Sequence, residues 1–148
     1  MNIEIKSLWK KNASEILTLI DKKEISIEEV LGSSLDIIKE INPGINAVVT
    51  LINEDEKQRL INNFDNSTDS ILKGMPVLIK DMNDVKDMRT TYGSKLYADH
   101  IPKKSDIVVQ TIEKNGGLII GKTNIPEFAA GSHTYNSVFG LTKNPWNT

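Results

Sequence analysis

A lysine directly after a short apolar run is the residue in this sequence best placed to do chemistry. Lys80 follows Pro76-Val77-Leu78-Ile79, which reads as a buried strand behind Gly74. Asp81, Met82, Asn83 and Asp84 come next. Catalytic groups in open α/β sheets commonly lie at the C-terminal ends of strands. Burial there disfavours an ammonium and lowers its pKa, and a neutral lysine can act as a general base near pH 7. The position suits an ordinary ion pair with Asp81 or Asp84 equally well, with Lys80 kept charged. Position alone leaves both readings open.

Other chemistries are easier to set aside. The sequence has no cysteine, which removes disulfides, thiolate metal sites and a cysteine nucleophile. His100 and His133 are its two histidines, and no carboxylate motif accompanies them, so no metal site is expected. Gly116 to Thr123 reads GGLIIGKT and fits the phosphate-loop pattern letter for letter. That loop needs flexible residues whose amides curl around phosphate, and here its interior is Leu118-Ile119-Ile120, which favours a strand. It would follow a helix rather than a strand, and Pro126 comes soon after it. Nucleotide binding is therefore not expected.

The surrounding pattern supplies elements that could position Lys80. Asn12 with Glu15, and Ser26 with Glu29, form two capping boxes. They predict a helix over about Asn12 to Lys23 and a second one ended by Pro43-Gly44. Ala13, Ile16, Leu17 and Ile20 should share a face, with Trp9 packed on it; Ile27, Leu31, Ile38 and Ile41 should share another. Ala47 to Ile52 reads as a buried strand, Glu54 to Phe64 as a surface helix, and Asp65 to Ser70 as a polar loop. Ser105 should cap a helix through Val108, Val109 and Ile112 that ends at Asn115-Gly116. Leu118-Ile119-Ile120 is a further buried strand. Strand, helix and strand in that order predict a right-handed crossover in a parallel or mixed sheet.

The chain of 148 residues fits one domain of ordinary size, with 39% apolar and 26% charged residues. A net charge of -2 and the lack of long like-charged runs speak against a direct nucleic-acid partner. The start, MNIEIKSLWKKN, lacks the apolar core of a signal peptide, and no stretch approaches the ~18 apolar residues of a membrane span. The expectation is a cytoplasmic protein without a membrane partner. Asn12-Ala13-Ser14 and Asn66-Ser67-Thr68 match the glycosylation pattern but carry little weight in that setting.

Several blocks together resemble the amidase-signature family. Gly74 to Asp81 (GMPVLIKD) is similar to the family segment that carries a catalytic lysine, and Val85 to Ser94 to the loop after it. Gly116 to Phe128 and Asn136 to Asn147 resemble two further blocks in the family's order, and the N-terminal helices and Asn42 to Val49 resemble its opening. The resemblance covers nearly the whole chain.

The resemblance implies an enzyme that hydrolyses amide bonds with a serine nucleophile, a second serine in a cis peptide that relays the proton, and a lysine as ultimate base. Lys80 matches that lysine. No cofactor or metal is implied, and the partner is a small-molecule amide. The loop from Phe128 to Ser132 would border the acyl pocket, with Ala129, Gly131 and Ser132 as candidate substrate contacts; each also reads as part of a plain turn after a helix over Ile125 to Ala130. The expected fold class is α/β: an N-terminal helical segment over 1–44, then over 45–148 the first part of a mixed or parallel sheet. The sequence departs from the family because the Gly/Ser-rich signature with both serines would follow the segment matching Asn144-Pro145-Trp146, and this chain ends at Thr148. The expectation is the N-terminal part of an amidase, inactive and marginally stable by itself, that needs the remainder of an amidase chain. The alternatives are the A subunit of a glutamyl-tRNA amidotransferase, suggested by Met88 to Thr91 against the stand-alone amidase character of Tyr92-Gly93-Ser94, and a truncated, non-catalytic protein.

Overall fold

The computed structural model describes residues 5–64 and 70–147. The polar loop expected at Asp65 to Ser70, and the Asn66-Ser67-Thr68 triplet, fall outside the described residues except for Ser70. After a 3-10 turn at Ile5–Lys10 come helix α1 (Ala13–Asp21) and helix α2 (Ile27–Ile45). Both predicted capping boxes form, with Asn12 and Ser26 accepting the Glu15 and Glu29 amides and the glutamates reaching back to the cap amides. Lys23, left-handed at φ 56°, turns the chain between the two helices.

The apolar faces differ from the expectation in detail. Leu8, Ile16, Ile25 and Val30 form a buried cluster, while Ala13 is exposed and Trp9 lies at the surface under the Lys10 ammonium. On α2 the buried positions are Val30, Leu31, Ser33 and Leu35, and Ile41 is exposed. Pro43 does not stop α2 but lies within its last turn. Its missing N–H costs one helical bond near the end, and the following residues still close the helix. Asn46 ends it in a left-handed conformation, and the Asn42 side chain accepts from the amides of Ala47 and Val48.

Strand β1 (Val48–Leu51) leads to helix α3 (Glu54–Asn63), which has no buried residue, as expected of a surface helix. Strand β2 (Pro76–Lys80), helix α4 (Ile107–Lys114) and strand β3 (Leu118–Thr123) make the strand–helix–strand unit. Asp106, not Ser105, is the α4 cap residue; the Ser105 hydroxyl accepts the Lys86 amide instead. β2 pairs with β3 in parallel and β1 pairs with β3 antiparallel, giving a mixed sheet of order β1-β3-β2. As an edge strand β1 is half-buried rather than buried.

Two faces of this sheet carry two cores. Leu31 and Leu35 of α2 pack with Ile52, Leu118 and Ile120 on one side. Val109 of α4 packs with Ile79, Val85 and Ile119 on the other. The N-terminal helices therefore share a core with the sheet. Gly121 is required at the centre of β3, because a Cβ there would run into the Thr50 carbonyl of β1. A short hairpin, β4 (Tyr135–Asn136) with β5 (Gly140–Leu141), completes the structure.

Candidate active site

The parallel pairing of β2 and β3 brings two lysines to one end of the sheet. Lys80 is opposite Thr123, and Ile79 is opposite Lys122. Side chains alternate across a strand, so the two lysines leave the sheet on opposite faces. Lys122 follows Ile79 into the side covered by α4 and is completely buried. Lys80 is exposed, and among the described residues its side chain has no hydrogen-bond or ion-pair partner. Burial of Lys80 is thus not supplied by this chain, and neither Asp81 nor Asp84 pairs with it.

Asp81 pairs with the other lysine. Its Oδ1 stands 3.5 Å from the Lys122 ammonium, with both side chains fully buried. Lys122 Nζ also donates to the Asn83 carbonyl and to Thr90 Oγ1, each at 2.6 Å. Asp81 Oδ2 accepts from the Thr91 amide (3.1 Å) and hydroxyl (2.6 Å). Burial pushes the Lys122 pKa below the ordinary lysine range, and the charges of Asp81, Asp84 and Asp106 oppose that fall. Nearby, the Tyr92 hydroxyl donates to Asp84 Oδ1 at 2.6 Å. Burial and that carboxylate push the Tyr92 pKa above the ordinary phenol range.

The backbone around this cluster is held in uncommon conformations. Tyr92, Phe128 and Ala129 are left-handed, at φ 52°, 50° and 57°. Such residues persist where surrounding structure over-determines them, and they gather at functional sites. Here the constraint is visible. The Tyr92 amide donates to the Asp81 carbonyl, and the Phe128 amide donates to the Tyr92 carbonyl. Gly93 fits so closely under Glu127 that an added Cβ would lie 3.2 Å from its Cα. The helix expected over Ile125 to Ala130 is consequently a single 3-10 turn, Glu127–Ala129, bent by Phe128.

The candidate substrate contacts lie on and after that turn. Ala129 is half-buried, and Gly131 and Ser132 are exposed. The chain of hydrogen bonds from Asp81 through Tyr92 to Phe128 places the turn at the same end of the sheet as Lys80. Behind the turn, Asn136 donates to Asn124 Oδ1 and the Ile125 carbonyl, both at 2.7 Å, and its own Oδ1 accepts from Val138 and Phe139. This network anchors the hairpin. The phosphate-loop pattern is excluded by geometry, since Leu118 to Thr123 is a strand and the Lys122 ammonium is used inside the protein.

Sequence reasoning did not find the Asp81–Lys122 pair. The signal was partial: Lys122 continues the apolar run Leu118-Ile119-Ile120, but the register shift that pairs it with Ile79, on the α4 side rather than Ile120's side, is not written in the local pattern.

The family model described as Amidase matches residues 29–148, and the chain belongs to the amidase family. It is 38% identical over 144 residues to the glutamyl-tRNA(Gln) amidotransferase A subunit 1 of Clostridium acetobutylicum, an alignment with 95% of this chain and 30% of that protein. Among solved structures it is similar to the corresponding A subunit from Thermotoga maritima (TM-score 0.77, 28% identity, 99% of this chain and 29% of that one). It is also similar to 6-aminohexanoate cyclic dimer hydrolase with substrate bound (TM-score 0.83, 25% identity, 98% and 29%). The chain thus spans about 30% of the length of the relatives it matches.

Proposed function

We propose that this chain forms the lysine-bearing part of an amidase that hydrolyses carboxamide C–N bonds, with Lys80 as the ultimate base. The observation that carries the reading is the placement of Lys80. It projects without a partner from the C-terminal end of β2, while the neighbouring carboxylate is occupied by Lys122. A lysine free of a carboxylate partner can give up its proton more readily than a paired one. In the proposed mechanism Lys80 receives the proton of a serine nucleophile through a second serine in a cis peptide. Both serines belong to a segment outside these 148 residues, so the isolated chain is expected to release no ammonia from amides. Desolvation of Lys80 would come from the rest of the longer protein. Ala129, Gly131 and Ser132 border the acyl side of the substrate. The reading places the protein in the cytoplasm and calls for no cofactor.

A second reading has an observation of its own. The relatives at 34–40% identity are A subunits of glutamyl-tRNA(Gln) amidotransferases. On that reading the amide is glutamine, and the ammonia passes to a charged tRNA with the help of partner subunits. The full-length protein purified from its source decides between them. Ammonia release from simple carboxamides by the protein alone supports the stand-alone amidase. Copurifying subunits and dependence on glutamine support the amidotransferase. With either substrate, Lys80→Ala should lower the rate by at least ~10³-fold, as removal of a member of a nucleophile–base unit does.

A further inference from the structure

The buried pair on the far face of the sheet has no part in the mechanism above, yet it adjoins Lys80 in the chain. We propose that Asp81 and Lys122 are positioning residues for Lys80, fixing the strand end from which it projects. The inference rests on the reading of Lys80 as the base.

The geometry carries it. The Lys122 ammonium gathers three groups from the segment after β2: the Asp81 carboxylate, the Asn83 carbonyl and the Thr90 hydroxyl. The Asn83 amide in turn donates to the Lys80 carbonyl at 3.0 Å. The Asp81 amide donates to Thr123 of β3, and its carbonyl receives the left-handed Tyr92. Every polar group of Asp81 except Oδ1 is thus hydrogen-bonded, and Oδ1 faces Lys122. The peptide planes on both sides of the Lys80 Cα are held by these bonds and by the pairing of β2 with β3. Lys122 is itself too enclosed to meet a substrate.

The test is amide hydrolysis and amide hydrogen exchange of the full-length protein beside its Asp81→Asn/Lys122→Met variant, which buries no charge, with folding followed by circular dichroism. Faster exchange confined to residues 80–83 and 90–92, together with a kcat at least ~10-fold lower at unchanged KM, supports the proposal. Unchanged exchange there, or an unchanged kcat, overturns it. If that variant does not fold, Thr90→Val, which removes one acceptor of the Lys122 ammonium, takes its place with the same two readouts. A Lys80→Ala protein that keeps the parent's rate fails the base assignment instead, so the two failures are distinguishable.

Discussion

Lys80 and Lys122 show how differently two lysines can sit at the end of one parallel strand pair. The place of Lys80 at the end of β2 was legible from the apolar run before it. Its exposure was not, because what covers a strand end depends on distant parts of a chain. The role of Lys122 depends on a register, Ile79 opposite Lys122, that no local pattern specifies. A pattern fitting a phosphate loop drew notice to that lysine's neighbours for a function the strand forbids. Because the Lys122 ammonium is buried, each of its acceptors matters. Thr90→Val keeps the shape of Thr90 but removes the oxygen at 2.6 Å. Leaving a buried donor unmade should cost about 1–3 kcal/mol, measurable by urea denaturation. A loss no larger than that of an exposed Thr→Val control would show that the ammonium has another partner.

At the scale of the element, the local signals were the dependable ones. Both capping boxes were readable because the donor and acceptor lie three residues apart. The Ser26 box also predicts a response to acid. Hydrogen bonds from the Ser26 amide and then its hydroxyl hold the Glu29 carboxyl below the usual range. A carboxylate with a lowered folded pKa contributes stability above its unfolded pKa and loses it as pH falls through the folded value. Glu29→Gln should therefore be less stable than the parent at pH 7, and the difference should shrink as pH falls below about 4.3. Thermal melts across that window check it, and a difference constant with pH would contradict the ion's role. The turn at Glu127–Ala129 could not be read this way. Its left-handed residues are imposed by Tyr92, some 36 positions away in the sequence. Pro43 misled because the bond that its missing N–H removes lies in the last turn of α2, where the Asn46 amide still donates to the Asn42 carbonyl and closes the helix.

For the molecule as a whole, composition and patterning were enough for the α/β class and the crossover, while the mixed sheet order came from tertiary pairing. The surface carries what the 30% share of its relatives' length suggests. Trp146 is 94% exposed, Leu96 85% and Ile107 83%. Large apolar side chains left open in this way favour association. The isolated 148-residue chain should bind a hydrophobic dye and show concentration-dependent mass in light scattering. Replacing Leu96 and Ile107 with Ser should reduce both signals; a monomer without dye binding would show that these side chains do not drive association.

Everything proposed for catalysis depends on Lys80 being the base of an amidase. The decisive experiment is ammonia release from glutamine and from simple carboxamides by the full-length protein from its native source, beside its Lys80→Ala and Lys80→Arg variants. Hydrolysis by the parent and a loss of ~10³-fold or more in both variants, with folding intact, is the expected result. A folded Lys80→Ala protein that hydrolyses the same amide at the parent's rate would contradict it.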